Sequence, residues 1–330
     1  MDNFNLHQFA FWAIICLILG FKLFKRFGFW AASLTLYCLF SSLVLFQIKI
    51  DFYDHFSDKI RIVGAETFAK LIAFSFMALA FYKWRKYWAR FFELFILLNC
   101  IIVIIKGYGF FNASSFDAAI IACSIPFIWL RPDWKVEKNL FYLIASVLLP
   151  IVAIIRTGQS ATAYFILLGI LIAYAFKKKI KTPFIFAFLI FLIAFYFNGE
   201  MLFNSSRRVE YWKEVFSWHD IWISKIYGSG IGSFEWLGPL SQINITGRNS
   251  GLTLQMHNEF LNLYYEGGFV GLFLGVMVWA EIGIKSYLKS NWEFLTFAAL
   301  SVCMLSYHPL HFSFSEFFIL AFACEVLWKE

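Results

Sequence analysis

The feature that most limits what this chain can become is the length of its uninterrupted apolar runs. They recur at about 17–25 residues, the length at which a helix crosses the hydrocarbon of a bilayer, as in 8–24, 27–46 and 160–176. Hydrophobic residues make up 61% of the 330 residues and charged residues 15%, against roughly 45–50% and 25% in a soluble domain. That excess is more than one soluble core can hide. The runs do not alternate apolar with polar residues, which argues against a membrane barrel. The expected class is all-α: a polytopic membrane protein in which 1–330 form one integral membrane domain.

About eleven spans are expected, at 8–24, 27–46, 62–82, 89–105, 114–130, 139–155, 160–176, 182–198, 258–284, 290–306 and 311–327. The first run has no basic segment before it and no small-residue cleavage site after it, so it reads as a retained helix and not a signal peptide. The connections are short except for a modest polar loop at 47–61 and a long one at 199–257. The six cysteines all fall inside apolar runs, with no CxxC and no zinc-type spacing.

The net charge of +7 is not a sign of nucleic-acid binding. In such a chain Lys and Arg first report orientation. With the N-terminus outside, the basic clusters Lys22, Lys25 and Arg26; Lys83, Arg85, Lys86 and Arg90; Arg131, Lys135 and Lys138; and Lys177, Lys178, Lys179 and Lys181 all alternate to the inner side. There they set topology and meet anionic lipid heads of the bilayer. The C-terminus is then inside, and 199–257 lies outside. His7, His55, His219, His257, His308 and His311 fall on or near the outer face, as does Arg156 in the tight connection "IIRTGQSAT". ATP and nucleotide sugars are cytoplasmic. Chemistry on the outer face therefore needs a substrate that is already activated, such as a lipid-linked one.

The long loop is not low-complexity linker. Val209, Trp212, Val215 and Phe216 recur at helical spacing, the pattern of an interfacial amphipathic helix over 207–222. "GSGIGS" carries Gly228, Gly230 and Gly232. It lacks the Gly-Lys-Ser/Thr of a Walker loop and the setting of a dinucleotide fingerprint. It is either a tight turn that uses positive φ or a backbone cradle for an anion. Arg207, Arg208, Arg248 and Arg156 share the outer side, and guanidinium forks suit diphosphate oxygens.

Beyond the loop, "MHNEFLNLYYEGGFVGLFLG" places His257 and Asn258 at a helix start. A helix N-terminus favours anions and keeps a neighbouring imidazole neutral, ready as a base. Glu259, Asn262 and Glu266 form one polar stripe at the head of the span. Carboxylates there imply a cavity, a site or a polar tie between helices. Gly267, Gly268, Gly271 and Gly275 suit close helix packing.

These residues together carry a resemblance. "RVEYW", "GSGIGSF" and "HNEFLNLYYEGGFVGL" resemble the shared signature of the O-antigen ligase and O-antigen polymerase superfamily, bacterial polytopic membrane glycosyltransferases. The matching positions are Arg208 and Trp212; Gly228, Gly230, Gly232 and Phe234; and His257, Asn258, Leu261, Glu266 and Gly268, within a family-like region of about 140–285. One departure is plain. Many members carry Ser-Arg at the start of the span corresponding to 160–176, whereas here Arg156 stands several residues earlier.

The resemblance implies a C-class glycosyltransferase fold with a long periplasmic loop, in the bacterial inner membrane. It implies a glycan donor linked to undecaprenyl diphosphate and transfer to an acceptor hydroxyl, on lipid A-core or another acceptor, without metal or other cofactor. His257 would assist the acceptor hydroxyl. Arg208 and Arg156 would stabilise the leaving diphosphate, with Arg207, Arg248, Asn258, Glu259, Glu266, Trp212 and the three glycines binding substrate. Ligase is the first expectation and repeat-unit polymerase the second. A polysaccharide transporter or flippase is a third, against which stands the lack of an inverted repeat or a matched pair of broken helices. A non-catalytic membrane scaffold is the last.

Overall fold

The computed structural model describes residues 6–47, 54–110, 114–130, 140–158, 160–178, 212, 216, 222–234, 258–306 and 313–328. Among them the chain is all-helical, with no strand. The helices are α1 (Leu6–Phe27), α2 (Phe29–Gln47), α3 (Asp54–Lys106), α4 (Ser114–Leu130), α5 (Leu140–Arg156), α6 (Ser160–Lys178), α7 (Trp222–Tyr227), α8 (Glu259–Lys289), α9 (Asn291–Ser306) and α10 (Ser313–Leu327). The expected span 182–198 and most of the loop 199–257 lie outside the described residues. Among the described residues two helical segments, Gly64–Lys106 and Glu259–Lys289, are long and apolar enough to cross a membrane.

The largest departure from expectation is α3. The spans expected at 62–82 and 89–105 belong to one helix of 53 residues. The reversal assumed at 83–88 is absent, and much of the polar loop expected at 47–61 is also helix. The cause is local. "YKWRKYWAR" contains no Gly, Pro, Asn or Asp to end a helix, and Lys, Arg and Ala all favour helix. Basic side chains mark an interface only when the backbone also turns.

The chain divides into two compact units, 1–83 with 203–281 and 323–330, and 84–202 with 282–322. In the first, α1 ends in Lys25 and Arg26, cations suited to a helix C-terminus. Gly28, at φ 103°, then reverses the chain directly into α2. Gly20 lets the two helices close up, since a Cβ there would overlap the Leu36 side chain. Cys16, Leu39, Leu43 and Phe68 form the buried centre, with Trp12 edge-on to Phe68 at 5.4 Å.

In the second unit Phe127 of α4 is the hub. Its ring lies 5.3 Å from Trp88, 5.5 Å from Phe318 and 5.9 Å from Trp292. Gly169 admits Val302, so α6 and α9 pack closely. The turn from α3 to α4 is tied by buried polar groups. Asn99 Nδ2 donates to Asp117 Oδ1 (3.1 Å), Gly109 N to Asp117 Oδ2 (2.8 Å) and Phe110 N to Asn99 Oδ1 (2.8 Å). At the C-terminus of α6, Lys177 Nζ donates to the Ser290 carbonyl at 2.6 Å beside the Tyr287 and Phe294 rings, and burial lowers its pKa.

Outside these centres, whole apolar stripes face outward. Tyr87, Phe91, Leu94, Leu98, Ile101 and Ile105 run down one side of α3, with Leu94 67% and Ile105 71% exposed. Phe11, Ile14, Leu17, Ile18 and Phe21 do the same on α1. Exposed Lys86 tests the continuity of α3 at little other cost. Lys86→Pro should destabilise the purified protein by about 3 kcal/mol or more, read as a fall in Tm in detergent, while Lys86→Ala stays near wild type. A proline tolerated there would mean that the chain turns at this point.

Candidate functional site

The head of α8 is built by its own sequence. Asn258 is the N-cap, its Oδ1 accepting Leu261 N at 3.0 Å and its carbonyl accepting Asn262 N at 2.9 Å. Glu259 stands in the first turn, where a carboxylate suits the helix dipole. Glu259, Asn262 and Glu266 are all buried, at 6%, 4% and 5% exposure. The polar stripe therefore faces protein.

The helix breaks at Gly268, with φ 59° and ψ −161°. Three consecutive carbonyls at the break accept hydrogen bonds from outside the helix. Tyr265 O accepts from Ser229 N (3.0 Å), Glu266 O from Gly230 N (2.8 Å) and Gly267 O from the Tyr37 hydroxyl (2.7 Å). The glycine turn 228–234 is thus docked on the break. Gly228, Gly230 and Gly232 take φ of 77°, 101° and 92°, a region closed to most side chains. Contact closes it further: a Cβ on Gly228 would strike the Glu266 carbonyl, and one on Gly268 the Ile226 carbonyl.

The turn makes more ties. Ser233 N donates to Gly230 O at 3.0 Å, Ile231 N to Ser41 Oγ at 3.0 Å, and Phe234 N to Glu266 Oε1 at 3.1 Å. Glu266 is therefore a polar tie between turn and helix. Phe234 is buried edge-on to Tyr265 at 5.2 Å, and Trp212, Phe216 and Leu261 pack against this pair. The three pieces of the sequence signature meet here: Trp212, the glycine turn with Phe234, and Asn258, Leu261, Glu266 and Gly268.

The turn amides change how the glycines are read. Those of Ser229, Gly230, Ile231, Ser233 and Phe234 already have acceptors in the protein, so an anion at this turn would compete with them. Of the positively charged candidates, only Arg156 is described. It is exposed and ends α5, followed by Thr157, whose Oγ1 donates to Ile154 O at 2.7 Å, and by Gly158 at φ 67°. His257, Arg207, Arg208 and Arg248 lie outside the described residues. Among the described residues no group of three His, Cys, Asp or Glu is placed to hold a metal ion.

Sequence reading missed Tyr37 and Ser41. Their signal was present: two hydroxyl residues four apart on one face of an apolar span. No family model, curated protein or solved structure matches the chain.

Two substitutions test this junction by thermal unfolding in detergent. Glu266→Ala leaves the Phe234 amide without its acceptor and should cost about 1–3 kcal/mol, while Glu266→Gln keeps an acceptor oxygen and should stay close to wild type. Gly268→Ala should cost more than the roughly 1–2 kcal/mol of a left-handed alanine alone, because its Cβ meets backbone. Gly107→Ala, at φ 83° with open space around it, should show only that smaller cost.

Proposed function

We propose that the chain is a membrane-embedded glycosyltransferase of the O-antigen ligase type, moving a glycan from undecaprenyl diphosphate to an acceptor hydroxyl at the periplasmic face. The observation that carries this reading is the meeting of the three signature pieces at the head of α8. Far apart in sequence, they are joined by hydrogen bonds and ring contacts. The exposed apolar stripes on α1 and α3 support burial in lipid, since such contiguous patches are rare on soluble monomers.

In this reading the acceptor oxygen attacks the anomeric carbon. The bond from that carbon to the diphosphate breaks, and its electron pair stays on the diphosphate. The acceptor's proton goes to His257. Arg208 offsets the charge that grows on the leaving group. The acceptor hydroxyl is carried by lipid A-core or another acceptor.

The transporter reading gains a broken helix and loses its use. Transporters employ such breaks to present unengaged carbonyls to ions, whereas the carbonyls of Tyr265, Glu266 and Gly267 are held by protein donors.

Complementation of a ligase-deficient cell tests the proposal. The wild-type gene should restore polymer on lipopolysaccharide, and His257→Ala and Arg208→Ala should abolish transfer while inserting normally. Bare core with accumulating lipid-linked polymer would reject the ligase reading. Restored ladder length in a polymerase-deficient strain would assign the chain to polymerisation instead.

A further inference from the structure

We infer that the place where the ends of α6 and α8 meet the start of α9 is a binding site for one anionic phospholipid. Lys177 and Lys178 on one side, and Lys285 and Lys289 on the other, hold its phosphate. Ile284 and Leu288 between them take an acyl chain. The inference rests on the membrane part of the reading above and not on the transfer reaction.

The lysines are placed by the protein. Ser290 caps α9, its carbonyl accepting Phe294 N at 3.3 Å, and the same oxygen accepts Lys177 Nζ at 2.6 Å. The Tyr287 and Phe294 rings meet edge-on at 5.1 Å and lie 5.4 Å and 5.6 Å from that ammonium. An ammonium carries three donors, so the Ser290 carbonyl leaves Lys177 with others for a ligand. Lys289 Nζ stands 3.7 Å from Glu293, whose carboxylate is buried in the first turn of α9. That pair ties the end of α8 to α9, as Lys177 ties the end of α6. Lys178 beside it is exposed. Glu293, and Glu281 one turn before Lys285, offset half of the positive charge of the four lysines. The other half remains for an anion.

Lysines suit helix C-termini without any ligand. The apolar surface between them is what that preference does not explain. Leu288 is 76% exposed, the most of any large hydrophobic residue described, and Ile284 one turn earlier is exposed too. Tyr287 continues the strip towards α6, where the exposed Phe176 sets its ring 6.2 Å away. Lys285 and Lys289 follow Ile284 and Leu288 by one position, on the adjoining strip of the helix. The ridge is therefore flanked by ammonium groups on both sides. A free phosphate ion has no use for the ridge, and a zwitterionic lipid leaves the surplus charge unanswered. A molecule apolar along its length and anionic at its head matches both.

Native mass spectrometry on the purified full chain in detergent counts the bound lipid. The protein is titrated with phosphatidylglycerol, with phosphatidylcholine of the same acyl chains, and with inorganic phosphate as competitor. Wild type should bind phosphatidylglycerol about tenfold or more tightly than phosphatidylcholine. Lys177→Gln should shrink that preference about fivefold. Lys178→Gln should do the same, and serves alone should Lys177→Gln express poorly. Lys86→Gln, at an exposed basic position on α3, should leave the preference unchanged, and Leu288→Gln should weaken both lipids alike. No preference in wild type, or a preference that neither Lys177→Gln nor Lys178→Gln moves, would overturn the site. An equal loss in Lys86→Gln would overturn it too, by assigning the preference to basic surface at large. Unaltered binding in Leu288→Gln would overturn the acyl contact, and displacement by inorganic phosphate would replace the lipid with a free anion. A wild-type protein that stays folded and monodisperse without detergent would overturn the membrane reading alone.

Discussion

Three backbone carbonyls at the break in α8 must find donors, and most of what surrounds the candidate site follows from that need. In apolar surroundings each unpaired backbone group costs several kcal/mol. Once Gly268 leaves helical geometry, Tyr265, Glu266 and Gly267 look outside the helix. A turn with a glycine facing a glycine is the shape that brings amide donors near enough, because any Cβ at Gly228 or Gly268 meets backbone. Glu266 then uses its side chain to hold the far end of the same turn at Phe234. The break, the glycines and the buried carboxylate are one device.

That device explains the polarity at the start of an apolar helix. Glu259, Asn262 and Glu266 are buried, so the stripe faces the rest of the protein. Asn258 closes the helix end by capping, and the aromatic residues Trp212, Phe216, Phe234 and Tyr265 seal the junction. A rigid base of this sort suits chemistry that depends on orientation, because groups that must meet at a reacting centre gain rate from being held there.

The helices were legible in the sequence because apolar runs of spanning length leave few alternatives. The expected 114–130 and the observed Ser114–Leu130 coincide, and 139–155 differs from Leu140–Arg156 by one residue at each end. Reading failed where it leaned on charge in place of backbone chemistry, as at 83–88, which α3 passes through without a turn. The glycine turn was visible as a turn. Its amides were not visibly committed, since their acceptors are backbone carbonyls and a serine hydroxyl distant in sequence. Asp117 was hidden for a related reason: a carboxylate at the head of an apolar span gives no sign that Asn99 and the Gly109 amide wait for it.

The most direct measurement of the central claim is turnover by the purified protein in a lipid nanodisc. It is supplied with a labelled glycan on undecaprenyl diphosphate and with lipid A-core as acceptor, in the presence of a metal chelator. Labelled acceptor and free undecaprenyl diphosphate should appear in equal amounts with wild type and vanish with His257→Ala. No turnover by a folded wild-type protein, or turnover indifferent to His257, would contradict it.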